Sequence, residues 1–209
     1  MVALKVCGIT KAEDARYAAS LGFDAIGFIF YPQSPRYIEP QSVAEIIEQL
    51  PPFINTVGVF VNEPIEKIKE ICSITKITTV QLHGDESPDF CKQVPLRVIK
   101  AFGVDDRFSF STLAKYQHAN VSAFLLDKHS PELVGGTGQS FDWNLVKEAK
   151  AYGRIILAGG ITPFNVISAL NEADPYGLDV NSGVEILPGE KNRNKLRTLI
   201  ENVRRYKPN

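Results

Sequence analysis

Short runs rich in β-branched and aromatic residues alternate along this chain with stretches whose apolar positions recur every three or four residues. The runs fall at residues 4–7, 25–30, 56–60, 79–82, 97–102, 123–127, 154–158 and 177–180. All are of strand length, so eight strands are expected. Helical stripes lie between them: Ile65, Ile68, Ile71 and Cys72 make one, Val166, Ile167 and Leu170 a second, and Leu196, Leu199, Ile200 and Val203 a third. Each places its apolar side chains on one face of a helix. The first helix is predicted to open with a capping box, Thr10-Lys11-Ala12-Glu13, to pack Ala12, Ala15, Ala18 and Ala19, and to stop at Gly22. Thr162-Pro163 reads as the N-cap and first residue of a later one.

Strands alternating with helices give a parallel sheet. Eight units in 209 residues average about 26 residues each, which makes a compact (β/α)8 TIM barrel, since that fold typically runs to about 250 residues. The competing architecture is an open doubly wound sheet, which normally carries Gly-x-Gly-x-x-Gly after its first strand. Here the first turn is Cys7-Gly8-Ile9-Thr10, and the closed barrel is the better reading. With no linker rich in Gly, Ser or Pro, residues 1–209 are expected to form one domain.

A barrel of this kind keeps its active site at the C-terminal ends of its strands. Period-two alternation then places Lys5 with Cys7, Gln81 with His83, Leu125 with Asp127 and Asp179 with Asn181, each pair on one face of its strand. If those faces point inward, Cys7, His83, Asp127 and Asp179 converge on one cup. Two segments suit a phosphate: Leu157-Ala158-Gly159-Gly160-Ile161-Thr162-Pro163 and Asp179-Val180-Asn181-Ser182-Gly183-Val184-Glu185. They follow the seventh and eighth strands, the usual phosphate position in barrels, and glycines expose backbone amides to an anion. The alternative is that Gly159-Gly160 only relieves a tight turn. Residues 128–140, with Gly135-Gly136-Thr137-Gly138, are long for a βα connection and read as a ligand loop or a surface insertion.

Composition removes other classes. The apolar fraction is 44% and the charged fraction 22%, values of an ordinary folded chain rather than a disordered one. A net charge of -1 supplies no overall field for nucleic acid or an anionic membrane. Cys7, Cys72 and Cys91 are an odd number without close pairing, which argues against a disulfide framework and against a zinc site. No leader-like start and no membrane-length apolar run is found, so a cytoplasmic protein with no membrane partner is expected.

Seven motifs in order, Lys5-x-Cys7-Gly8-Ile9-Thr10, Ser34-Pro35-Arg36-Tyr37, Gly58-Val59-Phe60, Gln81-Leu82-His83-Gly84, Gly135-Gly136-Thr137-Gly138, Leu157-Ala158-Gly159-Gly160 and Asp179-x-x-Ser182-Gly183-Val184-Glu185, together resemble the phosphoribosylanthranilate isomerases of tryptophan biosynthesis. Two details depart from the common pattern: Asn181 stands where serine is frequent, and the stretch from Asp127 to Gly135 is extended. The resemblance implies an Amadori rearrangement of a small phosphosugar–anthranilate substrate, with no cofactor and no metal. It implies Asp127 as general acid, Cys7 as general base and Arg36 on the anthranilate carboxylate, with Gly159, Gly160, Ser182, Gly183, His83 and Asp179 also at the substrate.

The chemistry is demanding. A thiol of ordinary pKa about 8.5 is about 3% thiolate at pH 7, whereas holding an aspartate of pKa about 3.9 protonated there costs roughly 4 kcal/mol. Burial at the cup floor is expected to raise Asp127. Lys5 either favours a thiolate at Cys7 or forms a buried ion pair, for example with Asp179. His83 is expected to pack or hydrogen-bond at the rim, and Cys72 and Cys91 to pack. Two rivals stand beside this reading: a silent phosphosugar-binding barrel, and a lyase akin to indole-glycerol-phosphate synthase with Lys100 as its lysine. Monomer and homodimer are both compatible with the sequence.

Overall fold

In a computed structural model that describes residues 2–105, 108–128, 143 and 145–207, the eight apolar runs become eight parallel strands. They are β1 (Ala3–Val6), β2 (Ala25–Ile29), β3 (Asn55–Phe60), β4 (Thr79–Leu82), β5 (Arg97–Val104), β6 (Val121–Lys128), β7 (Ile155–Leu157) and β8 (Gly177–Val180). Each pairs with its neighbour in sequence, and β8 pairs with β1, so the barrel is closed. The connections carry α1 (Ala12–Leu21), α2 (Pro40–Ile47), α3 (Ile65–Thr75), α4 (Pro88–Gln93), α5 (Ser111–Ala114), α6 (Leu145–Ala149), α7 (Val166–Ala173) and α8 (Arg193–Arg205). An antiparallel hairpin, β9 (Glu185–Leu187) with β10 (Glu190–Lys191), lies between β8 and α8; its strands are too short to show a period in the sequence.

The pleat sorts the side chains into two cores. Outward residues such as Val6, Ile26, Val80, Leu126 and Leu178 meet the helices in one large apolar layer. The helices return apolar stripes to it, Ile68 and Ile71 from α3, Val166, Ala169 and Leu170 from α7, Leu196, Leu199, Ile200 and Val203 from α8. Inside the barrel, Ile99, Ala101, Ala123, Leu125, Ile156 and Ala158 form a second, smaller cluster contributed by β5, β6 and the β7 end. On the β1, β4 and β8 side the interior is polar instead, with Lys5, Gln81 and Asp179 all buried. Register confirms the alternation: Lys5 lies beside Asp179, and Gly103 beside Asp127.

Local details differ where a distant partner wins. Thr10 does not cap α1: its hydroxyl donates to the Gly189 carbonyl at 2.6 Å, and the cap position falls to Lys11. Gly22 ends α1 as expected, in the left-handed conformation at φ 89°. α7 begins at Val166 rather than Pro163, although Thr162 Oγ1 accepts from the amides of Phe164 and Asn165 and so caps the turn that leads in. Ile167 faces outward on α7, away from the stripe it was expected to join. The loop with Gly135-Gly136-Thr137-Gly138 lies outside the described residues.

Candidate active site

Cys7 follows β1 directly. Its amide donates to the Val180 carbonyl at 2.8 Å, which holds it against the end of β8. The side chain is buried, and the room for its sulfur is made by Gly27 on β2, where an added Cβ would lie 2.8 Å from Cys7 Sγ and 3.0 Å from Lys5 Cε. The next residue, Gly8, takes φ +69°, and a Cβ there would meet Arg36 and Asn181 at 2.7 Å. Glycine is needed at both positions for different reasons, space at Gly27 and a left-handed backbone at Gly8.

Lys5 lies beneath the thiol. Its ammonium donates to Asp179 Oδ2 at 2.7 Å and to Gln81 Oε1 at 2.9 Å. The buried ion pair with Asp179 is therefore formed. Burial works against the charge on Lys5, but Asp179 and Cys7 outweigh it and hold its pKa above the ordinary lysine value. Asp179 is less well served: Oδ1 is buried with no hydrogen-bond partner among the described residues, and burial pushes its carboxyl up against the pull of Lys5. Cys7 is likewise pushed up, because burial outweighs the stabilising field of Lys5. Lys5 does favour the thiolate, then, but without winning: the free site holds a thiol.

The line of contacts continues across the barrel. Gln81 Nε2 lies 3.1 Å from His83 Nδ1, and His83 Nε2 lies 3.8 Å from Asp127 Oδ2. The His83 ring is pushed down to about 4 by burial and by the cations Lys100 and Lys5. Asp127 itself departs from expectation, since 27% of its side chain is exposed. It sits at the rim of the cup, and burial at the floor belongs to Asp179 instead.

Arg36, in the loop after β2, is buried rather than solvated. Its Nε and Nη2 grip Glu185 in a fork, with contacts of 2.9, 3.1 and 2.7 Å. Glu185 also accepts from Lys191 Nζ at 2.7 Å and from the Gly189 amide at 3.1 Å, and Lys191 reaches Asn181 Oδ1 at 2.9 Å. Burial raises Glu185, yet Arg36 and Lys191 outweigh it and hold the carboxyl below its ordinary value. Lys191 goes the other way: burial exceeds the pull of Glu185 and lowers its pKa. Glu185 stood in the last motif without a role assigned to it and Lys191 was not singled out; both act through a hairpin that local patterning does not announce.

The two glycine segments touch. Gly159 and Gly160 both take positive φ, 81° and 69°, and Asn165 braces the turn by donating to the Gly160 carbonyl and accepting from the Thr162 amide. Across from it, Ser182–Val184 forms a single 3-10 turn. A Cβ at Gly183 would lie 2.0 Å from the Ile161 carbonyl oxygen, so the loops after β7 and β8 interlock there. Consecutive glycines at positive φ turn successive amides toward one side, an arrangement that suits an anion.

Lys100 does not enter the cup. Facing the helix layer, its ammonium pairs with Glu86 at 3.1 Å and donates to the carbonyls of Leu82, Gly84 and Ala101. Glu86 in turn accepts from the amides of Asn62 and Gly84. The pair fixes the loop after His83, and the lyase reading loses its lysine. Cys91 is fully buried in α4 and Cys72 half-buried on α3, and burial pushes both thiols up to about 11. Among the described residues no cluster of three His, Cys, Asp or Glu side chains is placed to hold a metal ion, and no helix is long and apolar enough to cross a membrane.

Comparison with known proteins agrees along nearly the whole chain. Residues 4–202 match the family model of N-(5'-phosphoribosyl)anthranilate (PRA) isomerase. A protein from Trichlorobacter lovleyi named N-(5'-phosphoribosyl)anthranilate isomerase is 47% identical, covering 98% of this chain and 98% of its own. The crystal structure of phosphoribosyl anthranilate isomerase from Thermotoga maritima superposes with a TM-score of 0.91 at 40% identity, covering 98% and 99% of the two chains. Another isomerase structure, solved in complex with reduced 1-(o-carboxyphenylamino)-1-deoxyribulose 5-phosphate, gives a TM-score of 0.87 at 39% identity over 98% and 99% of the chains.

Proposed function

The chain belongs to the N-(5'-phosphoribosyl)anthranilate isomerase family, and from that premise we infer which residues carry its reaction. The activity is the Amadori rearrangement of tryptophan biosynthesis, aminoaldose to 1-(2-carboxyphenylamino)-1-deoxyribulose 5-phosphate. A proton goes to the ribose ring oxygen, the C1–O bond breaks, and the resulting iminium loses its C2 proton to give an enolamine that settles as the amino-ketose. C1 is reduced and C2 oxidised within one molecule, so no external electron carrier is consumed. An acid and a base must therefore face the same sugar.

We assign Asp127 as the acid and Cys7 as the base. One observation carries this: both lie at the C-terminal mouth of one barrel, joined across its interior by the contacts of Lys5, Gln81 and His83. The phosphate is held by the amides of Gly159, Gly160, Ser182 and Gly183, where the two loops meet. Arg36 spends two of its five N–H donors on Glu185 and turns the remainder to the anthranilate carboxylate. Asp179 Oδ1 accepts from a sugar hydroxyl, which would satisfy a buried oxygen that lacks a donor among the described residues. All these residues come from one chain, so a single copy suffices whether the protein is a monomer or a homodimer. We place the activity in the cytoplasm, since a charged phosphosugar does not cross a membrane unaided.

Turnover of phosphoribosylanthranilate, followed by the fall of its anthranilate fluorescence, tests the assignment. Cys7→Ser and Asp127→Asn should each lower kcat by on the order of 100-fold or more, the usual size of a general acid–base contribution. A variant that retains more than a tenth of wild-type kcat removes that residue from the chemistry.

A further inference from the structure

The contacts from Asp179 to Asp127 have a direction that the donor chemistry fixes. Lysine has three donors and no acceptor, so the Gln81 atom 2.9 Å from Lys5 Nζ must be the amide oxygen. The amide nitrogen then faces His83 Nδ1 at 3.1 Å. An amide nitrogen only donates, so Nδ1 must be the unprotonated nitrogen of the ring. Burial and the cations Lys100 and Lys5 keep the ring neutral at pH 7, which leaves its single proton on Nε2, 3.8 Å from Asp127 Oδ2. Turning the Gln81 amide over would set its NH2 against the Lys5 ammonium, and Lys5 is itself held by Asp179 at 2.7 Å. Turning the ring over about χ2 would set Cδ2, which accepts nothing, against that amide nitrogen, and the backbone that carries the ring is fixed, since the His83 amide is bonded to the Phe60 carbonyl and the loop beyond it is held by Glu86 and Lys100.

We propose that Gln81 is a positioning residue that, oriented by Lys5, locks His83 in its Nε2–H tautomer and so aims a hydrogen-bond donor at the carboxyl group of Asp127. The contact is open at 3.8 Å in the free site. When Asp127 passes its proton to the ring oxygen, the carboxylate that remains is a stronger acceptor, and His83 Nε2–H closes onto it. The donor thus helps the ionised acid formed in the transition state more than the neutral acid of the ground state. His83 moves no proton of its own in this account.

The proposal rests on Asp127 being the acid, and the experiment separates the two. Protein labelled with 15N-histidine, holding three histidines, is studied by long-range 1H–15N correlation at pH 7.5, with His83→Gln supplying the assignment. The expected signature is a protonated Nε2 and an unprotonated Nδ1 for His83; an Nδ1–H ring or an imidazolium in the wild type overturns the proposal, with no variant needed. In Gln81→Glu, the new carboxylate accepts from both sides, so His83 should switch to the neutral Nδ1–H tautomer, which takes the proton off Nε2. With that switch kcat should fall on the order of 10- to 100-fold, the scale of losing one aimed donor, while KM stays within threefold. A switched spectrum with unchanged kcat overturns the proposal. If Asp127→Asn is fully active, the acid assignment itself has failed; if Asp127→Asn is dead and the switched Gln81→Glu is not, only the tautomer proposal falls.

Discussion

Replacing Lys5 by methionine separates its two roles. The first is structural. Lys5 and Asp179 are both buried and meet at 2.7 Å, so removing the cation leaves an uncompensated carboxylate, a change that costs about 3–5 kcal/mol. Against a typical domain stability of roughly 5–15 kcal/mol the loss is large. The carboxyl escapes by taking up a proton. A carboxyl whose folded pKa lies above its unfolded value binds more protons when folded, so stability falls as pH rises from about 4 through the folded value. Burial already displaces Asp179 in that direction with Lys5 present; without Lys5 the displacement grows, and the penalty should deepen with pH. Lys5→Met/Asp179→Asn, which removes both charges, should recover most of the loss. The second role is electrostatic. Cys7 Sγ and Lys5 Cε both lie within 3.0 Å of the point a Gly27 Cβ would occupy, hence within about 6 Å of each other. At an effective dielectric of 20 a unit charge at about 5 Å is worth roughly 3 kcal/mol to a thiolate, partly cancelled by Asp179. The variant should lose on the order of tenfold in kcat/KM at pH 7, and its thiol alkylation curve should move to higher pH. Urea melts across pH 5 to 9 and iodoacetamide kinetics read the two roles separately. A penalty below about 1 kcal/mol that ignores pH would refute the ion-pair reasoning, and an unmoved alkylation curve would refute the tuning.

Two glycines give sharper, more local outcomes. Gly27→Ala puts a methyl 2.8 Å from the Cys7 sulfur and 3.2 Å from its Cα; the thiol must shift, with kcat down on the order of 100-fold and a stability loss of about 1–3 kcal/mol from overpacking. Wild-type kcat with that stability loss would mean the position of the sulfur is not critical. Gly183→Ala sets a methyl 2.0 Å from the Ile161 carbonyl oxygen, a backbone atom with no room to yield, so the loops after β7 and β8 must part. Its KM should rise at least about tenfold, as expected for a contact worth roughly 1.4 kcal/mol, and its melting temperature should stop responding to inorganic phosphate. A KM within twofold of wild type would show that the interlock does not build the anion site.

What was legible in the sequence is what repeats locally. Strand positions, inward parity and the two glycine segments all follow from periods of two and from residues whose backbone freedom is their signal. Lys5, Cys7, Gln81, His83, Asp127 and Asp179 are consequently placed by counting alone. What was not legible depends on partners far along the chain. Thr10 has the right neighbours for a capping box, yet Gly189 takes its hydroxyl. Arg36 reads as a loop arginine until Glu185, 149 positions later, encloses it. Asp127 ends an apolar run and so promises burial, but it is the penultimate residue of an eight-residue strand that reaches the rim. Parity reports which way a side chain points and nothing about how deep it sits.

The charges of the cup explain why a nearly neutral chain can bind a polyanion. At one end of the cup two cations, Arg36 and Lys191, face a single carboxylate, Glu185, while at the floor Lys5 is matched by Asp179. One positive charge is left over, and it lies on the Arg36 side, because Asp179 is matched by Lys5 while Glu185 is shared by two cations. Without Lys191, Arg36 and Glu185 would neutralise each other and the guanidinium would present only a dipole to an incoming carboxylate. In the proposed site the phosphate, in contrast, would be met by backbone amides, which cannot be neutralised by a neighbouring acid and need no counter-charge of their own. On this assignment the two ends of the substrate are held by different physics. The Arg36 end depends on a buried charge count that one substitution in a hairpin can alter, and the phosphate end depends on whether two loops can approach closely enough to aim their N–H groups at the same point.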